Sequence, residues 1–159
     1  SYLEANRNQF DSEWLNDTLS TLSEAQKNQE SILTRYDGIG FHRYVEDFVL
    51  QGGDPDGDGR GGSKDTIKGE FEINGVQNNI KHKRGVISMA RTPVDYDSAS
   101  SQFFICLNDM TAGSLDGNYA AFGHVTEGLD VLDAVASVST YPNDMPCKKV
   151  EIKKMTLIK

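Results

Sequence analysis

The sequence has few of the residues that mark several common protein classes. It holds only two cysteines, four prolines and one tryptophan among 159 residues, and no apolar run approaches about 18 residues. A disulfide scaffold, a proline-rich linker and a membrane-spanning helix are therefore not predicted. The N-terminus lacks a basic segment followed by an apolar one, so no signal peptide is predicted, although the start at Ser1 leaves a removed signal open.

Positive charge is also scarce. The 16 Lys and Arg residues are outnumbered by 24 Asp and Glu residues, which gives a net charge of -8 and an isoelectric point near 4.8. Because an acidic surface repels duplex nucleic acid and anionic lipid, neither nucleic acid nor membrane is predicted as a partner. A length of 159 residues suits one domain, and 37% apolar residues allow one hydrophobic core.

The two cysteines lie far apart and have no metal-binding spacing. Cys106 follows an apolar run, which is typical of a small buried hydrophobic residue, while Cys147 follows Pro146 near a predicted turn. Neither belongs to a Cys-x-x-Cys motif. Two free thiols are predicted in preference to a disulfide, and no metal site is predicted.

Residues 1–35 differ in composition from the rest of the chain. They are rich in Glu, Gln, Asn and Ser and contain no Gly or Pro. Their apolar residues recur at roughly helical spacing, at Phe10, Trp14, Leu19, Leu22, Ile32 and Leu33. This pattern predicts one long or two shorter amphipathic helices, which either pack on the body of the protein or bind a partner.

The remaining sequence has the pattern of short strands between turns. Apolar or alternating runs predict strands at residues 41–45, 48–51, 66–73, 85–90, 102–107, 120–125 and 150–158. Residues 108–118 are predicted as a loop and residues 129–138 as a helix. Many short strands separated by glycine turns, with one clear helix, predict a mainly β protein with an antiparallel barrel or sandwich.

The stretch of residues 41–62 combines features that seldom occur together. Arg43 lies inside a predicted strand beside aromatic residues, and Gly52-Gly53 then opens a loop with four further glycines. An arginine in this setting is either a surface residue with its stem packed down or a charge held over an apolar pocket. The rest of the chain favours the second interpretation.

Four segments, in order, resemble the cyclophilin family and its bacterial members in particular. They are Phe41-His42-Arg43 with Phe48-Val49-Leu50-Gln51-Gly52-Gly53-Asp54, then Gly85-Val86-Ile87-Ser88-Met89-Ala90, Ser101-Gln102-Phe103-Phe104-Ile105, and Leu115-Asp116-Gly117 with Phe122-Gly123. The resemblance covers residues 36–159 and implies a cyclophilin-like antiparallel β-barrel capped by helices. Residues 1–35 then form an atypical helical N-terminal segment, because cyclophilins usually have two strands and a helix there.

The resemblance implies a peptidyl-prolyl cis-trans isomerase. Rotation about an X-Pro bond has a barrier of roughly 18–20 kcal/mol because amide resonance has to be broken. The reaction needs no nucleophile or cofactor, and no cofactor is predicted. The implied partners are proline-containing peptides and unfolded or folding proteins. A fixed guanidinium over a dry, apolar pocket is suited to stabilising the twisted amide.

Position-by-position matching to the family implies the site residues. Arg43 matches the catalytic arginine, and Phe48 and Gln51 match catalytic positions in the proline pocket and beside the substrate backbone. Because Phe48 and Gln51 have opposite parity along a strand, a bulge or strong twist is needed to aim both into one pocket. The substrate-binding positions match Met89, Ala90, Arg91, Gln102, Phe104, Leu115, Tyr119 and Phe122.

Three positions depart from the pattern common in the family. Ser114 stands where many members have a tryptophan at the edge of the groove, which predicts weak cyclosporin binding. Tyr119 stands where histidine is common, and Arg91 where asparagine is common. Because tyrosine keeps an aromatic face and a donor, and contacts at position 91 are largely through backbone, catalysis is expected to survive both changes.

Two alternative sites compete with this interpretation. Residues Asp54, Asp56, Asp58, Gly59 and Asp65 have the spacing of an EF-hand calcium loop, but the flanks do not read as helices, so the glycine turn of the isomerase motif is favoured. The three histidines, His42, His82 and His124, are predicted to be structural or exposed. No catalytic Ser-His-Asp arrangement is predicted.

The alternative function is a non-catalytic module that binds proline-containing segments, or a scaffold that recruits a partner through residues 1–35. The intact set of Arg43, Phe48, Gln51, Phe104 and Phe122 favours the enzyme. The bacterial resemblance and the low cysteine content predict a cytoplasmic location.

Overall fold

The computed structural model describes residues 33–156 and 158. Of these, Gly38–Lys153 form one compact unit, and the residues outside that range belong to a second. In the second unit, Thr34–Tyr36 form a short 3-10 helix, and the Met155 N–H donates to an Asp37 carboxylate oxygen at 2.7 Å. The helices predicted for residues 1–35 fall almost entirely outside the described residues, so they stay a prediction, as does the domain boundary.

The unit Gly38–Lys153 is built on one antiparallel sheet. Its strands pair in the order β1-β2-β4-β3-β5. They are β1 (Phe41–Val45), β2 (Val49–Gly52), β3 (Val86–Met89), β4 (Phe103–Cys106) and β5 (Ala121–His124). Each strand lies within a predicted apolar run or extends it by one residue, and the mainly β class is confirmed. Closure of the sheet into a barrel stays a prediction.

The predicted strand over residues 66–73 is wrong. Ile67 forms only an isolated bridge with Ala99. Beyond it, side chains bind the backbone: Asp97 accepts from the Gly69 N–H at 2.9 Å, and the Asn74 amide donates to the Gly69 carbonyl at 2.9 Å. Because these side chains satisfy the backbone groups locally, the segment does not pair as a strand.

The last predicted strand is also shorter than expected. The segment forms one antiparallel bridge, between Gly40 and Glu151, next to a hydrogen bond from the Phe41 N–H to the Val150 carbonyl at 2.8 Å. The described residues beyond this bridge are not in a strand.

Within residues 33–156, one α-helix follows the fourth strand and another follows the fifth strand along the chain. The predicted helix is confirmed as α2 (Leu129–Val135), and a second, α1 (Asp109–Ala112), lies where a loop was predicted. Helix α1 continues into a 3-10 turn, Gly113–Leu115. Asn108 caps α1 by accepting from the Met110 N–H at 2.9 Å. An Asn followed by an Asp is an N-cap signal that could have identified this helix from the sequence.

The two cysteines are both free thiols in the structure, one buried and one exposed. Burial raises the pKa of the Cys106 thiol to about 12, so this residue acts as a small core hydrophobe. No helix within residues 33–156 is long and apolar enough to cross a bilayer.

Candidate active site

One row of side chains crosses all five strands on the same face of the sheet. The register opposes Arg43 to Gln51, Gln51 to Phe104, Phe104 to Ser88, and Ser88 to Ala121. Directly opposed residues of antiparallel strands point to the same face. We call this face, which carries these five residues, the site face. It brings three predicted site residues together on three adjacent strands.

Apolar side chains pack into a cluster on the site face. Its buried members are Val49, Val86, Phe104, Cys106, Ala112, Leu115 and Ala121, with Val45, Phe48, Ala90 and Tyr119 packed against them. Helix α1 and its 3-10 turn contribute two of the buried side chains. Five of the predicted site residues belong to this cluster: Phe48, Ala90, Phe104, Leu115 and Tyr119. The cluster is therefore a buried apolar core whose four partly exposed members form its rim, on the sheet face that also carries Arg43 and Gln51.

Phe48 lies in the turn between β1 and β2 rather than in a strand. Asp47 adopts a left-handed backbone with φ of 54°, and the Phe48 N–H donates to the Val45 carbonyl at 3.1 Å. The Thr111 hydroxyl donates to the Asp47 carbonyl, which joins the turn to α1. Because Phe48 is outside the strand, its parity relative to Gln51 does not limit where it points. The bulge expected between Phe48 and Gln51 is therefore not needed; the register shift of this hairpin lies in β1, between Phe41 and Arg43.

Arg43 is half-exposed at the edge of this cluster. Its Nε lies 3.4 Å from a carboxylate oxygen of Asp144, and each side chain is 43% exposed. The Asp144 carbonyl accepts from the Tyr44 N–H at 2.8 Å, which fixes the acidic residue beside β1. The pair engages Nε, and within the described residues no hydrogen bond is made by the Nη groups of Arg43. Among the described residues, the ion pair with Asp144 is therefore the contact that holds this guanidinium.

Gln51 and Gln102 join the pocket to a neighbouring groove. The Gln51 amide donates to the Gln102 side-chain carbonyl at 2.8 Å, and the Gln102 amide donates to the Gly61 carbonyl at 2.8 Å. The groove has a volume of about 540 Å³ and is lined by both glutamines, Ala90 and Arg91, among others. A peptide that reaches the apolar cluster can extend into this groove past backbone and amide groups.

Beneath Phe104 lies a buried hydrogen-bonded chain that the sequence analysis missed. The His82 ring stacks on Phe104 with centroids 6.2 Å apart, and its two nitrogens lie 3.0 Å from Ser88 Oγ and 3.0 Å from Asp116 Oδ1. Ser88 is fully buried and His82 is 2% exposed. Burial alone raises the pKa of Asp116, but the hydrogen bonds from His82 and the charge of Lys81 bring it below its ordinary value.

This chain has the residue types of a hydrolytic triad but not its accessibility. A serine with no exposed surface cannot meet a substrate, so Ser88, His82 and Asp116 form a support under the Phe104 ring. The prediction of a structural His82 agrees with this geometry. No sequence signal links Ser88 to His82, because their contact depends on the loop that precedes β3.

Arg91 follows β3 and turns its guanidinium into the protein. The guanidinium lies over the rings of Phe71, Tyr96 and Tyr119 and donates to backbone carbonyls. Arg91 also lines the groove beside Gln102. Its charged group, however, is engaged by the chain's own residues.

Two predicted site residues lie away from the cluster. Met89 is opposed to Phe103, and Ser88 to Phe104, so Met89 is on the opposite face of the sheet. Phe122 is at a register shift between β3 and β5 and is 55% exposed. Strand register thus places these two side chains apart from the row of Arg43, Gln51 and Phe104, and their role in binding proline stays a prediction.

The acidic loop after β2 is closed by Asp54 itself. The buried Asp54 carboxylate accepts from the Asp56 N–H at 2.9 Å and the Gly59 N–H at 2.6 Å. Burial raises the pKa of Asp54, but these two hydrogen bonds and one from the Gly61 N–H bring that pKa below its ordinary value. Both oxygens are occupied by backbone donors, which favours a glycine turn over a calcium loop. In residues 33–156 no group of three or more His, Cys, Asp or Glu residues is arranged to hold a metal ion.

Comparison with known proteins identifies relatives of this arrangement. A family model described as cyclophilin type peptidyl-prolyl cis-trans isomerase/CLD matches residues 19–157. A peptidyl-prolyl cis-trans isomerase of Arabidopsis thaliana, CYP18-2, is 40% identical over 124 residues, which cover 77% of this chain and 72% of the relative. A peptidyl-prolyl cis-trans isomerase of Helicobacter pylori is 46% identical over 102 residues, covering 63% of this chain and 58% of the relative.

A solved structure also matches the fold. It is the crystal structure of a cyclophilin type peptidyl-prolyl cis-trans isomerase of Cryptosporidium parvum, determined in the presence of the dipeptide Ala-Pro. It superposes with a TM-score of 0.73 at 27% sequence identity and covers 88% of each chain.

Proposed function

The chain belongs to the family of cyclophilin-type peptidyl-prolyl cis-trans isomerases, and we propose that Arg43 is the residue that stabilises the twisted X-Pro amide in its reaction. The observation that carries this proposal is the register of Arg43 and Gln51 beside the buried Phe104. X-Pro rotation requires a cation, an amide and an apolar surface. This register places all three on neighbouring strands.

The apolar cluster provides the binding energy in this mechanism. A proline ring packs on Phe104, Leu115 and Phe48, where burial of its methylene groups is favourable. The Cryptosporidium parvum structure with Ala-Pro supports binding of proline-containing peptides by this chain as well. Gln51, held by Gln102, then fixes the peptide backbone next to the ring.

Arg43 supplies the catalytic step. As the amide twists, the proline nitrogen loses conjugation and its lone pair becomes available to a hydrogen-bond donor. A guanidinium N–H directed at that nitrogen, or at the neighbouring carbonyl, binds the twisted form better than either planar isomer. The Asp144 contact at Nε restrains the guanidinium and leaves its Nη donors for the substrate. Each 1.4 kcal/mol of such selectivity is worth about tenfold in rate.

The second candidate is a proline-binding module without turnover. The half-exposed position of Arg43 is compatible with a residue that only binds a peptide carbonyl. The two functions differ in one measurable respect, because a binding module leaves the rate of cis-trans exchange unchanged.

The experiment is the isomerisation rate of a short peptide with one X-Pro bond. We expect the wild type to accelerate it and Arg43→Ala to lose about a hundredfold in kcat/KM, a loss typical of one fixed electrostatic group. Arg43→Lys retains a charge without the planar fork and is expected to fall between them. Arg84→Ala is the matched control, because Arg84 bonds Leu129 and Asp133 of α2, which contributes no residue to the apolar cluster. A wild type that binds the peptide without accelerating exchange would leave the binding module as the function.

A further inference from the structure

Arg91 occupies a cage of three aromatic rings contributed by three separate segments. Its guanidinium carbon lies 4.6 Å from the Tyr119 centroid, 4.9 Å from Tyr96 and 5.2 Å from Phe71. A cation over an aromatic face within about 6 Å is attracted by the ring quadrupole. The three rings differ widely in sequence position, so this one side chain joins three loops.

Hydrogen bonds fix the guanidinium inside the cage. Nε and Nη2 donate to the Asn118 carbonyl at 3.1 and 3.0 Å, and Nη1 donates to the Thr92 carbonyl at 2.9 Å. None of the ion pairs among the described residues includes Arg91. Its charge is therefore balanced by ring faces and carbonyl dipoles, and its planar fork is committed to the protein rather than to a peptide.

Tyr119 connects this cage to the apolar cluster. Its ring meets Phe104 edge to face with centroids 5.6 Å apart, while Arg91 lies over it. The bonded carbonyl of Asn118 belongs to the residue just before it, so the guanidinium holds both the ring and the backbone of this segment. Arg91 and the Thr92 that it bonds also line the neighbouring groove.

We propose that the Arg91 side chain is a positioning residue that holds the Tyr119 ring against Phe104, and so sets one wall of the proline site. This inference rests on the proposed function only in taking the apolar cluster as the substrate site. Arg91 acts through Tyr119 and not by direct contact with the peptide.

The geometry requires arginine rather than any cation. A lysine ammonium is a compact point charge that can sit over one ring, whereas the planar guanidinium covers rings and donates to two carbonyls at once. The Phe71 ring that completes the cage is almost fully buried and makes an edge contact with Tyr96 at 5.6 Å. The cage is thus anchored on a buried ring, while Tyr96 is 39% exposed at its outer side.

A double-mutant cycle tests this proposal with peptide isomerisation as the readout. The variants are Arg91→Lys, Tyr119→Leu and the double variant, each checked for folding, with a short X-Pro peptide that does not reach the groove. We expect Arg91→Lys to lower kcat/KM about fivefold, mainly through a raised KM, because the proline site loses a fixed wall. In the Tyr119→Leu background the same change should lower kcat/KM by less than about twofold.

Two matched variants complete the design. Tyr119→Phe keeps the ring, so Arg91→Lys should still cost about fivefold in that background. Arg84→Lys, which alters another arginine bonded to a backbone carbonyl, should leave kcat/KM unchanged. An equal loss from Arg91→Lys with and without the Tyr119 ring would overturn the proposal, and so would an equal loss from Arg84→Lys.

An independent readout keeps the test separate from the proposed function. The ring-proton chemical shifts of Phe104 depend on the orientation of Tyr119, so Arg91→Lys should move them and Arg84→Lys should not. If the wild type shows no isomerase activity, the proposed function fails while this NMR comparison still decides the role of Arg91. Unmoved Phe104 shifts in Arg91→Lys would overturn the inference.

Discussion

The two faces of the five-stranded sheet carry similar side chains in different surroundings. On the site face, Phe104 is buried, stacks on His82 and lies in register with Gln51 and Arg43. On the opposite face, Phe103 makes an edge contact with Phe41 at 6.2 Å and lies opposite Met89. The two phenylalanines are neighbours in the sequence, yet strand alternation sends one to the site and the other to the far side. Strand register, and not residue type, therefore decides which of the two phenylalanines lies beside Gln51 and Arg43.

The largest expected effect comes from replacing each of these two phenylalanines with alanine. Phe104→Ala should lower the free energy of unfolding by about 3–5 kcal/mol, because a buried ring is replaced by a cavity, and isomerase activity should be lost with it. Phe103→Ala removes a half-buried ring, so its stability loss should be smaller and its kcat/KM within about twofold of wild type. Denaturant unfolding and peptide isomerisation measure both quantities.

Phe104→Leu provides a folded comparison if the alanine variant is too unstable. It should keep most of the stability and still lose activity, because the flat ring over His82 is gone. Equal activity in Phe104→Leu and Phe103→Leu would show that the two faces do not differ in the way proposed.

The second effect concerns the hydrogen-bonded support under the site face. Ser88→Ala removes the partner of the His82 ring nitrogen and leaves a buried polar atom unsatisfied, which should cost about 1–3 kcal/mol of stability. Ser114→Ala is the control, because the Ser114 hydroxyl is exposed and bonds only the Thr111 carbonyl. We expect that control to lie within about 0.5 kcal/mol of wild type in urea unfolding. Similar losses in both variants would contradict a special role for the buried chain.

The third effect tests the edge of the site face. Ser114→Trp adds an aromatic side chain at the position where many cyclophilins have tryptophan, and should tighten cyclosporin binding by about tenfold, or ~1.4 kcal/mol. Ser114→Leu controls for added apolar surface. Fluorescence titration of both variants measures the affinity, and an unchanged dissociation constant in Ser114→Trp would show that residue 114 does not limit binding.

The smallest expected effect is the contribution of the buried His42 to the pH dependence of the free energy of unfolding. The His82 ring has two hydrogen-bond partners, whereas neither ring nitrogen of His42 has one among residues 33–156. Burial lowers the pKa of His42 from its ordinary value of 6.5, with Asp54 and Asp58 opposing and Arg43 adding to the shift. A lowered histidine pKa means that the unfolded state binds the proton more tightly.

The stability contributed by neutral His42 is therefore complete above pH 6.5 and is lost as the pH falls below that value. His42→Gln should flatten the dependence of the free energy of unfolding on pH between about pH 5 and pH 8. The Asp54 contribution is lost only at lower pH, below the ordinary aspartate pKa of 3.8. An unchanged slope in His42→Gln would assign the dependence to another group.

Much of this fold could be predicted from local pattern. The apolar runs predicted all five strands of the sheet, and α2 was predicted from its helical spacing. The failures are segments whose backbone is bound by side chains. Asn74 and Asp97 hold the segment around Gly69 out of a strand, and Asn108 starts a helix in a predicted loop. Asp97 is 28 residues from Gly69, so a local pattern does not reveal that contact. The Asn108 cap, by contrast, is local and could have been identified from the sequence.

The candidate site was predicted mainly by motif, which does not reveal register. The register places Arg43, Gln51 and Phe104 on one face of the sheet, whereas Met89 lies on the other face and Phe122 lies at a register shift. Where each side chain points depends on how the strands align, and these register shifts have no clear sequence signal. The Ser88–His82–Asp116 chain joins strand β3 to two separate segments, and the Arg91 cage joins three segments, so neither follows from a local pattern.

In the proposed mechanism, the apolar cluster binds proline and Arg43 accelerates its isomerisation. One NMR titration of an X-Pro peptide against wild type and Arg43→Ala measures both quantities. We expect the variant to have a dissociation constant within about threefold of wild type and cis-trans exchange slower by about a hundredfold. Exchange that persists in Arg43→Ala, or binding that is lost together with exchange, would contradict this mechanism.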